Sequence, residues 1–207
     1  MSHIIVAGIG TDVGKTVVSA ILTTLLKGEY WKPIECGVPG DTSVMRSLID
    51  PQQYPIHEPM YSFKNPVSPH HAARLENSAI AADLITIPKS GSNLIIESAG
   101  GVLTPITMDK TNMELFKKWN YKWVVVSKHY LGSINHTLLT IDALQRNDIC
   151  IAGIIFNGSP YPDSEQVILK RANVPCIGRL QQEARINKQV VQKYADQWGV
   201  KCIQYLH

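Results

Sequence analysis

Ile4-Ile5-Val6-Ala7-Gly8-Ile9-Gly10-Thr11-Asp12-Val13-Gly14-Lys15-Thr16 runs from an apolar, β-branched segment through a glycine-rich turn into a helical pattern. That order predicts a strand, a phosphate-binding loop and a helix. Such a turn exposes backbone N–H groups that wrap polyphosphate oxygens, and the helix behind it aims the positive end of its dipole at them. Lys15 would add a full charge, and the Thr16 hydroxyl would bind Mg²⁺. ATP or GTP is therefore the expected ligand. The usual loop has four residues between its glycines, whereas five separate Gly8 from Gly14 here.

Outward from this segment, apolar runs recur at Ile4–Ala7, Tyr30–Ile34, Leu94–Ile96, Trp123–Val126, Ile149–Phe156, Cys176–Leu180 and Lys201–Tyr205. Most are continuously apolar, as parallel strands covered on both faces must be. Helical spacing or helix-start residues mark Lys15–Lys27, Thr42–Leu48, Ala79–Leu84, Asn112–Trp119, Ser133–Gln145, Asp163–Arg171 and Gln182–Trp198. The alternation predicts a doubly wound α/β fold of the phosphate-loop NTPase type. Its sheet is mainly parallel, with about seven strands and helices on both faces, in one domain over residues 1–207. The proline-rich stretch Asp50–Ser68 reads as a long functional loop.

A chain of 207 residues needs no staple. Cys36, Cys150, Cys176 and Cys202 are widely spaced, without the CxxC pairs of zinc or redox sites, and read as reduced thiols of a cytoplasmic protein. Met1-Ser2-His3 enters an apolar run at once and reads as a start without a basic leader, and no apolar stretch approaches the roughly 18 residues of a membrane span. The net charge of +3 is slight and its lysines are scattered, which argues against nucleic acid and membrane partners.

Open parallel sheets bind ligands beyond the carboxyl ends of their strands. Lys15, Thr16, Lys32, Asp41, Glu97 and Asn157 all follow predicted strands and should converge on one face. Glu97 has the placement of the acid that holds Mg²⁺ in phosphate-loop enzymes. Gly100-Gly101 lets the backbone approach a ligand closely, or serves only a tight turn. Lys32 would supply a second ammonium near a γ-phosphate. Asp41 suits a helix N-cap as well as a metal ligand, and the spacing does not decide between them.

The motifs GTDVGKT, KPIECG, GDT, NPVSPHHAA, ESAGG with a following TP, LGSINHTLLT and the final FN occur in one order across residues 8–157. Together they resemble dethiobiotin synthetase, whose own loop has the five-residue gap. The resemblance implies closure of a ureido ring on 7,8-diaminononanoate with CO2 and ATP. It implies Mg²⁺ ligands at Thr16, Asp41 and Glu97, and Lys15 and Lys32 against the phosphates or the carbamate, with Thr11 beside them. Asp12, Val13, Gly14, Lys15 and Thr16 would hold the nucleotide, and Asn157 its adenine. Cys36, Gly100, Gly101, Leu131, Gly132 and Ser133 would border the diamine. The helix opened by Gly132-Ser133 would receive its carboxylate across a homodimer.

Three positions depart from that family's pattern. Cys36 replaces a small hydroxyl residue, Asp12 a glutamate, and Tyr130 a basic residue. His70-His71 reads as pocket wall or a helix start, and His136 as a structural histidine. Two rival functions are another synthetase of the same nucleotidase class and a nucleotide-switched partitioning or positioning ATPase. The second usually carries an extra loop lysine where this chain has Ile9 or Gly10.

Overall fold

The computed structural model describes residues 2–206. A seven-stranded sheet is built from β1 (His3–Gly8), β2 (Glu29–Trp31), β4 (Ile56–His57), β6 (Leu94–Gly101), β7 (Lys122–Lys128), β8 (Ile151–Asn157) and β9 (Cys176–Leu180). Its order is β4-β2-β6-β1-β7-β8-β9, and every pair is parallel. A second sheet pairs β3 (Ile34–Cys36) with β5 (Tyr61–Phe63).

Within β1, Ile4 and Val6 face one layer while Ile5 and Ala7 face the other, and all four are fully buried. Two covered faces explain why the strand is apolar throughout and yet sorts its side chains with period two. The first layer packs on α1 (Lys15–Leu25), α2 (Asp41–Leu48) and α7 (Lys188–Leu206) through Val18, Leu22, Met45, Val191 and Trp198. The second packs on α3 (Pro69–Leu75), α4 (Asn112–Lys117), α5 (Ser133–Gln145) and α6 (Pro162–Ala172) through Ala72, Phe116, Leu144 and Ile168.

From β1 the chain runs to β2 on one side of the sheet, and after β6 it crosses to β7 on the other. β1 lies between β6 and β7, so the topological switch point falls at its carboxyl end, where the phosphate loop begins.

Four expectations are corrected. Lys201–Tyr205 is no strand but the end of α7, because Val191, Tyr194, Trp198, Cys202 and Leu206 form one buried stripe at helical spacing. The run Tyr30–Ile34 breaks at Pro33, which has no N–H to give a ladder, and its halves join different sheets. Ala79–Leu84 holds only a 3₁₀ turn at Ala82–Leu84. Asp50–Ser68 contains β4 and β5. Among the described residues, no helix is long and apolar enough to cross a membrane.

Candidate active site

The phosphate loop ends at Gly14, the N-cap of α1, at φ 95° and without a side-chain cap. Only glycine holds that left-handed conformation cheaply, and a Cβ here would collide with the Asn157 amide. Asn157 Nδ2 donates to the Val13 carbonyl (2.8 Å), so the end of β8 braces the loop from behind. Val13 is buried in the core and offers a ligand its backbone alone. Lys15 Nζ donates to the Gly10 carbonyl (2.9 Å) and folds over the loop it belongs to.

Beside the loop, four elements bring oxygen and nitrogen together. The Thr16 hydroxyl at the start of α1 lies 2.8 Å from Asp41 Oδ1 and 3.0 Å from Glu97 Oε1. Lys32, after β2, donates to Glu97 Oε1 at 3.0 Å and also to Asp41 Oδ2. Tyr30 donates its hydroxyl to Glu97 Oε2 (3.0 Å). Lys32 and Glu97 are almost wholly buried, whereas Asp41 keeps an open side at 34% exposure.

Burial opposes the Lys32 charge, but Glu97 and Asp41 hold its pKa above the ordinary lysine value. Burial likewise works against ionised Asp41, and Lys32 overcomes it, so this carboxyl sits below its usual range. Lys15 differs. Burial, then repulsion from Lys32, pushes its pKa down to about 8. The site thus holds one ammonium locked into an ion-pair cluster and one that, among the described residues, hydrogen-bonds a loop carbonyl and makes no ion pair.

These groups line a cleft of about 840 Å³ together with Thr11, Asp12, Gly14, Cys36 and Gly100. Burial raises the Cys36 pKa to about 11, so it presents a neutral thiol. Gly101, at the end of β6, borders a smaller neighbouring cavity of about 380 Å³ with Thr11 and His136. Leu131, Gly132 and Ser133 line neither space. Leu131 is fully exposed, and Gly132 caps α5 at φ 100°, again without a side-chain cap. His70 and His71 open the first turn of α3, and His136 Nδ1 bonds the Tyr130 hydroxyl (2.8 Å).

Sequence reasoning missed Tyr30, which reads as core in a short apolar strand. It also missed Asn112, fully buried, whose Nδ2 donates to the Gly101 carbonyl (2.9 Å) and to that of Ala99. Asn112 pins the Ala99–Gly101 end of β6 from α4, a contact that nothing local announces.

Thr16, Asp41 and Glu97 supply three hard oxygen donors from three elements. That donor set suits Mg²⁺, which takes one or two carboxylates and completes its shell with phosphate and water.

Solved structures share the architecture. A ParA family ATPase from Chlorobium tepidum superposes with a TM-score of 0.53 at 14% identity, over 100% of this chain and 98% of its own. The septum site-determining protein MinD of Pyrococcus horikoshii, complexed with Mg-ADP, gives 0.52 at 12% identity, over 99% and 93%. At such identities the likeness is one of fold. Fold and cleft define a protein of the phosphate-loop, doubly wound α/β class.

A family profile described as an AAA domain matches residues 2–190. The ATP-dependent dethiobiotin synthetase BioD of Chlamydia abortus is 44% identical over 198 residues, covering 95% of this chain and 94% of the relative. That of Cytophaga hutchinsonii is 41% identical over 204 residues, covering 96% and 99%. The chain belongs to the ATP-dependent dethiobiotin synthetase family, and with it to the ligases of biotin biosynthesis.

Proposed function

We propose that this chain, as one α/β unit over residues 1–207, closes the ureido ring of dethiobiotin from 7,8-diaminononanoate, CO2 and ATP. One amine adds to CO2 and loses a proton, giving a carbamate. A carbamate oxygen attacks the γ-phosphorus, ADP leaves, and a carbamic-phosphoric anhydride remains. The second amine then attacks the anhydride carbonyl and expels phosphate.

No side-chain nucleophile is required, so the protein's work is positioning and charge neutralisation. The loop N–H groups of Asp12–Thr16 would cradle the phosphates. Lys15 and Lys32 would neutralise charge on the transferring phosphoryl group, with Thr11 beside the amine. Asn157 would meet the adenine through its carbonyl and its second amide N–H, the first bracing Val13. Cys36, Gly100 and Gly101 would border the diamine. Thr16, Asp41 and Glu97 would hold Mg²⁺, which when bound withdraws charge from the phosphate oxygens. The observation that carries this reading is the meeting of two ammonium groups, two carboxylates and a threonine hydroxyl in one cleft at the switch point.

The proposal extends to a homodimer in the cytoplasm, with small molecules as its other partners and no part for nucleic acid or membrane. Its support is the surface around α5, where Leu131, Ile134 and Leu139 are exposed next to an uncapped helix end outside the chain's own cleft. An uncapped helix N-terminus suits a carboxylate, here that of the diamine bound by the partner subunit.

The test is ADP release. Diaminononanoate with bicarbonate should stimulate it, whereas DNA or anionic vesicles should not. Stimulation by DNA or vesicles alone would turn the reading toward a nucleotide-switched ATPase.

A further inference from the structure

Asp41 sits at the first position of α2, behind an N-cap, Gly40, that has no side chain to satisfy the helix's leading N–H groups. The missing cap comes from another element. Glu35, on β3, is 6% exposed, and its Oε2 accepts the Thr42 N–H (3.0 Å). Its Oε1 accepts the Ser62 hydroxyl (3.3 Å) from β5, its register partner in the small sheet. The Glu35 carboxylate fills the space above Gly40 so closely that any Cβ there would collide with it. Glu35 thereby ties β3, β5 and the first turn of α2 into one unit. Its hydrogen-bonded anchor on α2, Thr42, directly follows Asp41.

We infer that Glu35 is a positioning residue, a cap supplied from the neighbouring sheet that fixes Asp41 against Thr16 and Lys32 and thereby sets the site's hold on its divalent cation. This rests on the reading of Asp41 as a Mg²⁺ ligand. Outer partners that orient a ligand typically change metal affinity about 10–100-fold when removed.

The experiment measures Mn²⁺ binding to the ADP-loaded protein by EPR, and amide exchange over residues 41–44, in wild type and four variants. These are Asp41→Ala, Glu35→Ala, Glu35→Gln and the double variant Glu35→Ala with Gly40→Ser. Glu35→Ala should weaken Mn²⁺ binding about tenfold and speed exchange at Thr42. Glu35→Gln keeps an acceptor for Thr42 and should stay within about threefold of wild type. In the double variant the introduced serine side chain enters the space vacated by Glu35, where its hydroxyl acts as an ordinary N-cap, and should restore both readouts in part.

If Asp41→Ala weakens Mn²⁺ binding while Glu35→Ala leaves binding and exchange unchanged, the role of Glu35 is overturned and the metal reading stands. If Asp41→Ala binds Mn²⁺ as wild type does, the metal reading falls and takes this inference with it.

Discussion

Two helices of this molecule begin in the same way. α1 and α5 each follow a neighbouring central strand, and each is capped by a glycine in the left-handed region, Gly14 at 95° and Gly132 at 100°, with no side-chain cap. Their surroundings differ. Around Gly14 stand Lys15, Thr16, Lys32, Asp41 and Glu97, braced from behind by Asn157. Around Gly132 stand exposed apolar side chains, Leu131 and Ile134 foremost. A glycine-capped helix end offers an anion the same backbone groups in both places, and the neighbours decide whether the chain can use them alone. The first gathers its charged groups within one chain, while the second, on the proposed homodimer, would be completed by the partner subunit.

The largest effect should come from emptying the charged side of that comparison. Lys15→Ala or Lys32→Ala should lower the rate of dethiobiotin formation on the order of 10²–10³-fold, the usual loss when a preorganised charge donor is removed. Lys32→Ala should also cost about 3–5 kcal/mol of stability in thermal or denaturant melts, because it leaves Glu97 buried without its cation. Lys15→Ala should melt near wild type, since the hydrogen bond its ammonium makes among the described residues goes to a loop carbonyl. Near-normal turnover in both variants would remove the assignment.

Next in size is the contrast between the two glycines. Gly14→Ala should weaken ATP binding by at least about tenfold, through left-handed strain and the collision with Asn157. Gly132→Ala carries similar strain of about 1–2 kcal/mol but meets nothing closer than His136 at 3.8 Å, and should leave ATP affinity unchanged by calorimetry. Equal loss of ATP affinity in both would erase the distinction.

The pH dependence of nucleotide binding gives a smaller signal with a definite sign. Burial and Lys32 bring the Lys15 pKa down to about 8, and a bound polyphosphate favours the charged form. Below pH 8 the ammonium is already present, so binding takes up no proton there. As pH rises through about 8 the protein must gain a proton to bind, and affinity should fall by up to about tenfold per pH unit. Calorimetry in buffers of different ionisation enthalpy reads that uptake directly, and its absence at about pH 9 would contradict the position assigned to Lys15. The smallest effect on nucleotide binding belongs to Leu131→Glu. It should shift sedimentation toward monomer while ATP affinity stays unchanged.

Much of this was legible in the sequence for a physical reason. β1, β6, β7 and β8 are buried on both faces along most of their length, so their residues had to be apolar in largely unbroken runs. The phosphate loop is local, its residues contiguous, and its spacing readable. Thr16, Lys32, Asp41 and Glu97 could be named because strand ends converge in this fold. What stayed hidden depends on distant partners. β4 and β5, two and three residues long, are too short to show a period and exist only through pairing. The end of α7 looked like a strand because Cys202-Ile203 and Tyr205-Leu206 are apolar in short steps, and only the stripe from Val191 onward reveals the helix. Glu35 and Asn112 act through bonds to residues whose positions no local pattern predicts.

The central claim is that this cleft turns CO2 into an activated acyl group held for a second amine. It is tested most directly by supplying the purified protein with diaminononanoate, ATP, Mg²⁺ and ¹³C-bicarbonate and reading the product by mass spectrometry. The account predicts one labelled carbon in a cyclic urea, formed in step with ADP. ADP release with no label in any ring product would contradict it.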